Sequence, residues 1–134
     1  MAFTILMLAI HPEHQEAVAK ELSDLFQSQD SYVEREHIEN MPILERCIKE
    51  TLRLFPVVTL IARKCDSPFK LRHYNIEPGT SFAIGIQQLH RREEYWGPNA
   101  HLFNPDNFLP ERVSERKPFC YIPFSDGPRN CIGM

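Results

Sequence analysis

The spacing of apolar residues in the first half of the chain predicts helices. From Pro12 onward, apolar side chains recur at intervals of three and four residues, which predicts an amphipathic helix over residues 12–27. A second pattern of the same period predicts a helix from Ile43 to Leu54, and Pro56 ends it. The polar stretch QSQDSYVEREHIEN between these two helices is expected to be a connection.

The apolar opening, MAFTILMLAI, predicts half of a buried helix. It lacks the basic start and the small-residue cleavage site of a secretion signal. The charged stretch HPEH interrupts it far short of the roughly 20 residues that a membrane span needs. A strongly apolar helix at the first residue has no preceding turn to cap it, which is unusual for an N-terminus.

The pattern changes to an alternation of apolar and polar positions at Val57. The segments VVTLIARKC, FKLRHYNI and SFAIGIQQL predict strands, and Pro78 and Gly79 predict a type II turn before the last one. We therefore expect a small antiparallel sheet within residues 57–89. The proline-rich residues that follow predict a long irregular segment with at most a short helical turn. The fold class is mainly α with a small antiparallel β-sheet, an α+β chain.

Composition narrows the possible functions. The chain has 134 residues and a formal net charge of −3, and no run of basic residues is longer than two, so nucleic acid is not an expected partner. Four widely spaced cysteines form no C-x-x-C pair, which argues against a zinc ribbon and against a dense disulfide framework. The length fits one compact domain.

The closing stretch, PFSDGPRNCIGM, carries the candidate chemistry. Its lone cysteine, Cys131, is either inert packing or a single thiolate that binds or reacts. Gly127 can adopt a positive φ, and Gly133 leaves backbone amides near the sulfur open. Arg129 brings a fixed cation, and Phe124 offers an aromatic wall that excludes water.

Together these five residues spell F-x-x-G-x-R-x-C-x-G, which resembles the haem-binding loop of the cytochrome P450 monooxygenases. The resemblance implies that Cys131 is the proximal thiolate ligand of the iron of haem b. It also implies that Arg129 bonds a haem propionate and that Phe124 shields the sulfur. A thiolate ligand pushes electron density onto the iron and favours O–O cleavage.

Other segments resemble the same family. Glu50 and Arg53 form an E-x-x-R pair, which alone would be a surface ion pair but by resemblance is the structural pair that anchors the core. Arg63, on the first predicted strand, would reach a haem propionate or else lie in solvent. Residues 89–112 resemble the family's meander segment. There, His90 would help to seat a propionate or be merely structural.

Two positions depart from the family pattern. Asn107 stands where much of the family has an arginine that completes a triad with the E-x-x-R pair, and an amide cannot pair ionically. Asp126 stands where a small residue is usual. Because a carboxylate close to a thiolate is unfavourable, we expect the Asp126 side chain to point to solvent.

The resemblance covers nearly the whole chain, residues 1–134, as an incomplete C-terminal part of the cytochrome P450 fold. It runs from the end of the central helix through the E-x-x-R helix, the small sheet and the meander to the haem-binding loop. The membrane anchor, the oxygen-activating segment and the helix after Cys131 are expected to lie outside it, so no catalytic residue is assigned. The chain is expected to be a fragment or a truncated product.

By resemblance the parent protein is a haem-thiolate monooxygenase that inserts one oxygen atom from O₂ into a small apolar substrate, either a fatty acid or a xenobiotic-like compound. It most resembles the animal microsomal branch similar to fatty-acid ω-hydroxylases. That implies NADPH-cytochrome reductase as electron donor and an anchor in the endoplasmic reticulum membrane, on the cytosolic face. Arg112, Arg116 and Lys117 would form a basic rim for the reductase or be simply solvated.

Two alternatives stay open from the sequence. The first is a non-catalytic haem-binding remnant or truncated product with no activity of its own. The second is a small α+β interaction domain without a cofactor, which leaves the spacing of the closing loop unexplained.

Overall fold

The fold is taken from a computed structural model that describes residues 1–26 and 32–133. Within these ranges the chain forms short and medium helices and two small sheets. The α-helices are α1 (Ala2–Ile10), α2 (Pro12–Leu25), α3 (Arg35–Glu39), α4 (Pro42–Leu54), α5 (Ile86–Leu89), α6 (Glu93–Trp96) and α7 (Pro110–Glu115). The strands are β1 (Leu60–Lys64), β2 (Phe69–Leu71), β3 (Tyr74–Ile76) and β4 (Ser81–Gly85), and a 3₁₀ helix covers Pro105–Phe108.

Both helices predicted from apolar spacing are present as α2 and α4. Each begins with proline at its first position, where a backbone N–H would have no acceptor within the helix, so proline costs no hydrogen bond. Helix α4 ends before Pro56, as predicted. The predicted end of the first helix, residue 27, lies outside the described residues.

The stretch predicted as a connection contains a further short helix, α3. Glu34 and His37 form a reciprocal cap at its start, because the Glu34 carboxylate accepts from the His37 backbone N–H and His37 Nδ1 accepts from the Glu34 N–H at 3.0 Å. The prediction of a plain connection is wrong over α3, and its residues 27–31 lie outside the described residues.

A helical core forms where α1, α2 and α4 meet. Its buried apolar members come from all three helices and from the meander segment: Met7, Val18, Cys47, Leu54 and Phe103. Glu21 of α2 also caps α4, because its two carboxylate oxygens accept the otherwise free N–H groups of Ile43 at 2.7 Å and Leu44 at 2.9 Å. This contact fixes the start of α4 against α2.

Helix α1 is only partly covered. Thr4 and Met7 are buried, whereas Ile5 and Ile10 are more than half exposed. Phe3 stacks on Phe55, with 4.8 Å between ring centroids. The expectation of a buried helix therefore holds for one face only. Over residues 1–26 and 32–133, no helix combines the length and apolar character needed to cross a membrane.

The predicted sheet is present as two separate antiparallel pairs. Strand β1 pairs with β4, with Arg63 opposite Phe82, and β2 pairs with β3 in a short hairpin. Gly79 has φ +88°, and the Thr80 N–H donates to the Glu77 carbonyl at 3.2 Å, which closes the turn predicted at Pro78–Gly79. The last residues of the predicted sheet, 86–89, are helical instead and form α5.

The meander segment contains more regular structure than the single turn predicted. Helix α6, the 3₁₀ helix and α7 follow one another around a second buried cluster formed by Trp96, Ala100 and Phe108. Tyr121, which leads into the closing stretch, packs edge-on against Phe108 at 4.8 Å. Aromatic packing holds this proline-rich segment in place.

Candidate functional site

The closing loop, residues 123–133, is a tight turn held by its own backbone. The Cys131 N–H donates to the Phe124 carbonyl at 3.0 Å, and the Asn130 N–H donates to the Gly127 carbonyl at 3.1 Å. Gly127 has φ +83°, a conformation that favours glycine, and Ser125 also has a positive φ of 65°. The predicted role of Gly127 as a turn residue agrees with this geometry.

A cavity of about 280 Å³ lies between the closing loop and strand β1. Its walls are mostly apolar, and the lining residues include Val57, Val58, Ile61, Ile86, Phe124, Arg129 and Cys131. Binding sites for small molecules commonly enclose roughly 300–1,000 Å³. The cavity lies at the lower end of this range.

Arg63 of β1 reaches the closing loop. Its Nη2 donates to the Ser125 Oγ at 2.7 Å and lies 3.4 Å from the Arg129 carbonyl oxygen. The structure thus brings the Arg63 guanidinium to the backbone of the closing loop, next to two residues that line the cavity, Ser125 and Arg129. Arg63 itself does not line the cavity, whereas Arg129 does, and a guanidinium there suits a ligand that carries carboxylates.

Cys131 is the exposed one of the four cysteines, and it lines the cavity. Burial raises the pKa of the Cys47 thiol to about 11 and also raises that of Cys120, so both are held as neutral thiols. Cys65 donates its S–H to the Ser67 carbonyl at 2.7 Å. Cys131 is therefore the thiol best placed to bind an incoming group.

Three further loop residues, Gly133, Asp126 and Phe124, differ in their surroundings. A Cβ built on Gly133 would lie 3.8 Å from the Cys131 sulfur, an ordinary contact, so Gly133 is close to the sulfur without being required by space. Asp126 is exposed, as expected, and its carboxylate accepts the backbone N–H of Gly127. Phe124, near the start of the loop, is half-buried and lines the cavity.

Glu50 and Arg53 form a fully buried ion pair, not a surface one. Arg53 Nε and Nη2 each lie 2.7 Å from a carboxylate oxygen of Glu50, and neither side chain is exposed. The other N–H groups of Arg53 donate to three backbone carbonyls, those of His90, Ala100 and Leu102. All five donors of the guanidinium are thus engaged, which offsets the cost of burying the charge.

Glu50 also binds the meander segment directly. Its Oε1 accepts the backbone N–H of Asn104 at 2.8 Å and the side-chain amide of Asn107 at 3.2 Å. Asn107 therefore contributes a hydrogen bond to Glu50 but no charge. The pair anchors α4 to the segment that precedes the closing loop.

His90 lies beneath the closing loop and does not line the cavity. Its ring is fully buried, Nε2 accepts the Ile122 N–H at 2.8 Å, and its carbonyl accepts from Arg53. Burial lowers its pKa to about 4, so the ring is neutral at neutral pH. The ring also stacks on Tyr121 at 5.2 Å. His90 thus connects the buried ion pair to the start of the loop.

Arg116 is the residue of this region whose environment the sequence did not indicate. It is half-buried, not part of an exposed rim, and its guanidinium carbon lies 4.0 Å from the centroid of the Trp96 ring. Its Nη2 donates to the Asn107 carbonyl. The neighbouring Arg112 and Lys117 are exposed, and Lys117 pairs with Glu94 at 2.9 Å.

The chemistry of this site fits a haem group held by one cysteine. Apolar walls suit the macrocycle, guanidinium groups suit its carboxylates, and one thiolate suits its iron. In the part of the chain that the structure describes, no three His, Cys, Asp or Glu side chains cluster as metal ligands. A porphyrin supplies four ligands itself, so a single protein ligand is enough. These features are those expected of a haem-thiolate site.

Comparison with known proteins agrees with this class. The sequence model of the family described as Cytochrome P450 matches residues 1–134. The chain is 47% identical over 134 residues to Cytochrome P450 4c21 of Blattella germanica, which covers all of this chain and 26% of that protein. It is 42% identical over 135 residues to Cytochrome P450 4c3 of Drosophila melanogaster, covering all of this chain and 25% of the relative.

A vertebrate relative is similar too. Cytochrome P450 4V2 of Pongo abelii is 41% identical over 132 residues, covering 98% of this chain and 25% of that protein. The chain belongs to the cytochrome P450 family, and the resemblance found in its motifs is confirmed. It spans about a quarter of the length of the curated relatives it matches. The α+β architecture is accordingly part of the family's fold.

Proposed function

We propose that this chain is the haem-binding part of a monooxygenase that inserts one oxygen atom from O₂ into a small apolar substrate. The observation that carries the proposal is the cavity that Cys131, Arg129 and Phe124 line together with Ile61 of strand β1. In the proposed enzyme, Cys131 binds the iron of haem b, and Arg129 and Arg63 bind its propionates. Haem supplies the activation of O₂ when it is bound.

The residues of this chain have holding roles in the proposal. Phe124, half-buried at the cavity, keeps water from the sulfur. Arg63 is held against the closing loop by its bond to the hydroxyl of Ser125, which lines the cavity. Gly127 gives the loop the turn that brings Cys131 back to the Phe124 carbonyl. No residue of the chain is assigned a proton-transfer role.

The similarity to relatives named Cytochrome P450 4c21, 4c3 and 4V2 supports a finer proposal. We place the complete protein in the branch resembling fatty-acid ω-hydroxylases, with NADPH-cytochrome reductase as electron donor. That branch implies an anchor in the endoplasmic reticulum membrane, with the haem domain on the cytosolic face. Of the proposed basic rim, Arg112 and Lys117 are exposed and could contact an acidic reductase.

The test uses the complete protein, purified with a reductase and supplied with NADPH, a medium-chain fatty acid and isotopically labelled O₂. We expect one labelled oxygen atom in the product, at or next to the terminal carbon. Haem binding without any labelled product from a panel of apolar compounds would favour the non-catalytic alternative. If labelled oxygen appears in a xenobiotic-like compound but not in the fatty acid, the monooxygenase reaction is supported and the fatty-acid branch is rejected.

A further inference from the structure

Arg116 occupies an unusual place for a residue that the sequence leaves as a solvated charge. Its guanidinium carbon lies 4.0 Å from the centre of the Trp96 ring and 5.3 Å from that of Phe108. Its Nη2 donates to the Asn107 carbonyl. A guanidinium stacked on aromatic faces and bonded to a carbonyl is held in one orientation.

The groups around Arg116 act on its charge in both directions. Burial lowers the pKa of Arg116, and the charge of Arg53 lowers it too, whereas the Glu50 carboxylate raises it. Arg53 itself lies 4.8 Å from the same Trp96 ring. Two guanidinium groups therefore share one indole ring close to one buried carboxylate. Such a cluster needs the aromatic faces and the carboxylate to offset the repulsion between the cations.

Residue 107 joins Arg116 to the buried ion pair. The Asn107 side-chain amide donates to Glu50 at 3.2 Å, while its carbonyl accepts from Arg116. An amide at this position supplies a hydrogen bond but no charge. The second cation of the cluster comes instead from Arg116, nine residues later in the chain.

We propose that Arg116 replaces the arginine missing at position 107 and acts as a positioning residue for Cys131. The inference rests on the proposed haem-binding function. The segment that leads into the closing loop starts at Arg116, so holding Arg116 in one orientation fixes where the segment begins. Its residues 120–122 are also anchored. Cys120 is buried, the Tyr121 hydroxyl donates to the Lys49 carbonyl at 3.0 Å, and the Ile122 N–H donates to His90.

This path ends at the sulfur. Phe124 follows Ile122 by two residues, and its carbonyl accepts the Cys131 N–H. A displacement of the segment at Arg116 therefore changes where the closing loop begins and where Cys131 points. The expected consequence is a weaker or altered bond between the sulfur and the haem iron, not merely a less stable chain.

The test compares three variants of the complete haem-loaded protein. Arg116→Met removes the cation and keeps an unbranched, flexible side chain, and Arg112→Met removes an exposed arginine of α7 as the matched control. The double variant Asn107→Arg with Arg116→Met returns an arginine to the position where much of the family has one. The readouts are haem retention on dilution and the share of the reduced carbon-monoxide complex that shows the thiolate-type band.

We expect Arg116→Met to retain haem about tenfold less well and to shift much of the complex to the thiol-type band. Arg112→Met should match the parent protein within about twofold. The double variant should recover most of the thiolate-type band. Recovery in the double variant also supports the inference if Arg116→Met alone does not fold.

Three results would overturn the inference: an unchanged thiolate-type band in Arg116→Met, an equal loss in Arg112→Met, or no recovery in the double variant. These results are distinct from failure of the proposed function. If the parent protein itself shows no thiolate-type band with haem bound, it is the proposed function that fails.

Discussion

Arg53 holds Glu50 in a two-point fork, with Nε and Nη2 each 2.7 Å from a carboxylate oxygen and neither side chain exposed to solvent. The two residues lie one turn apart on α4. A pair in this position orients other groups because both partners have further bonds: Arg53 to carbonyls of the meander segment and Glu50 to its amides. The helix and the meander segment are therefore fixed to each other through one charge pair.

Removing one partner of this pair should be costly. We expect Glu50→Gln to lower the free energy of unfolding by about 3–5 kcal/mol, because it leaves the Arg53 charge buried without its counter-charge. The measurement is urea denaturation of the complete protein. Glu45→Gln is the control, since the exposed pair of Glu45 with Lys49 should contribute no more than about 0.5 kcal/mol. Similar losses in both variants would contradict the role of the buried pair.

His90 should make stability depend on acidic pH. Its pKa is about 4 in the folded protein and about 6.5 when unfolded, because burial disfavours the charged ring. Above pH 6.5 the ring is neutral in both states and has no effect. Between pH 6.5 and 4 only the unfolded state takes up the proton, so stability falls by about 3 kcal/mol and then levels off.

The variant His90→Gln tests this window, because glutamine can accept the Ile122 N–H but does not titrate there. We expect the stability difference between parent and variant to change with pH between 6.5 and 4, and to be constant above that range. A difference that is flat across the whole range would show that His90 is not buried as a neutral ring.

The parts of the fold that sequence predicts well are those set by local signals. Proline at position 12 and at position 42 marks the starts of α2 and α4, Pro56 marks an end, and the pair Pro78–Gly79 marks a turn. Loop geometry at Gly127 follows from the need for a positive φ. These features depend on neighbours within a few residues, which a sequence displays.

Long-range contacts explain what sequence did not predict. Helix α5 replaces the end of a predicted strand because the Ile86 and Gln87 N–H groups donate to the Thr59 carbonyl, 27 and 28 residues earlier. Arg116 looks like any charge in a polar stretch until Trp96 is packed against it. The sequence shows that position 107 lacks the arginine of much of the family, but it does not show which other residue packs beside the buried pair.

Haem binding should be more sensitive to substitution of Gly127 than to substitution of its neighbour Asp126. We expect Gly127→Ala to reduce haem retention about tenfold, because an L-residue at φ +83° costs roughly 1–2 kcal/mol. Asp126→Ala is the paired control and should bind haem no better than the parent, since its carboxylate points to solvent. The measurement is a haem titration by absorbance. A clear gain in Asp126→Ala would mean that its carboxylate faces the bound group.

The two arginines proposed to bind propionates, Arg63 and Arg129, should both contribute to haem binding. We expect Arg63→Gln and Arg129→Gln each to weaken haem binding about tenfold, because in the proposed function each removes a cation that binds a carboxylate. A haem derivative with esterified propionates should bind parent and variants alike. If each variant loses as much affinity for the esterified haem as for ordinary haem, the arginines do not bind the propionates.

The most direct measurement is the reduced carbon-monoxide spectrum of the complete protein beside its Cys131→Ser and Cys65→Ser variants. Cys65 is buried and bonded to the Ser67 carbonyl, which a serine hydroxyl can also reach. We predict a thiolate-type band in the parent and in Cys65→Ser, and its complete loss in Cys131→Ser. A thiolate-type band that persists in Cys131→Ser would contradict Cys131 as the ligand of the haem iron.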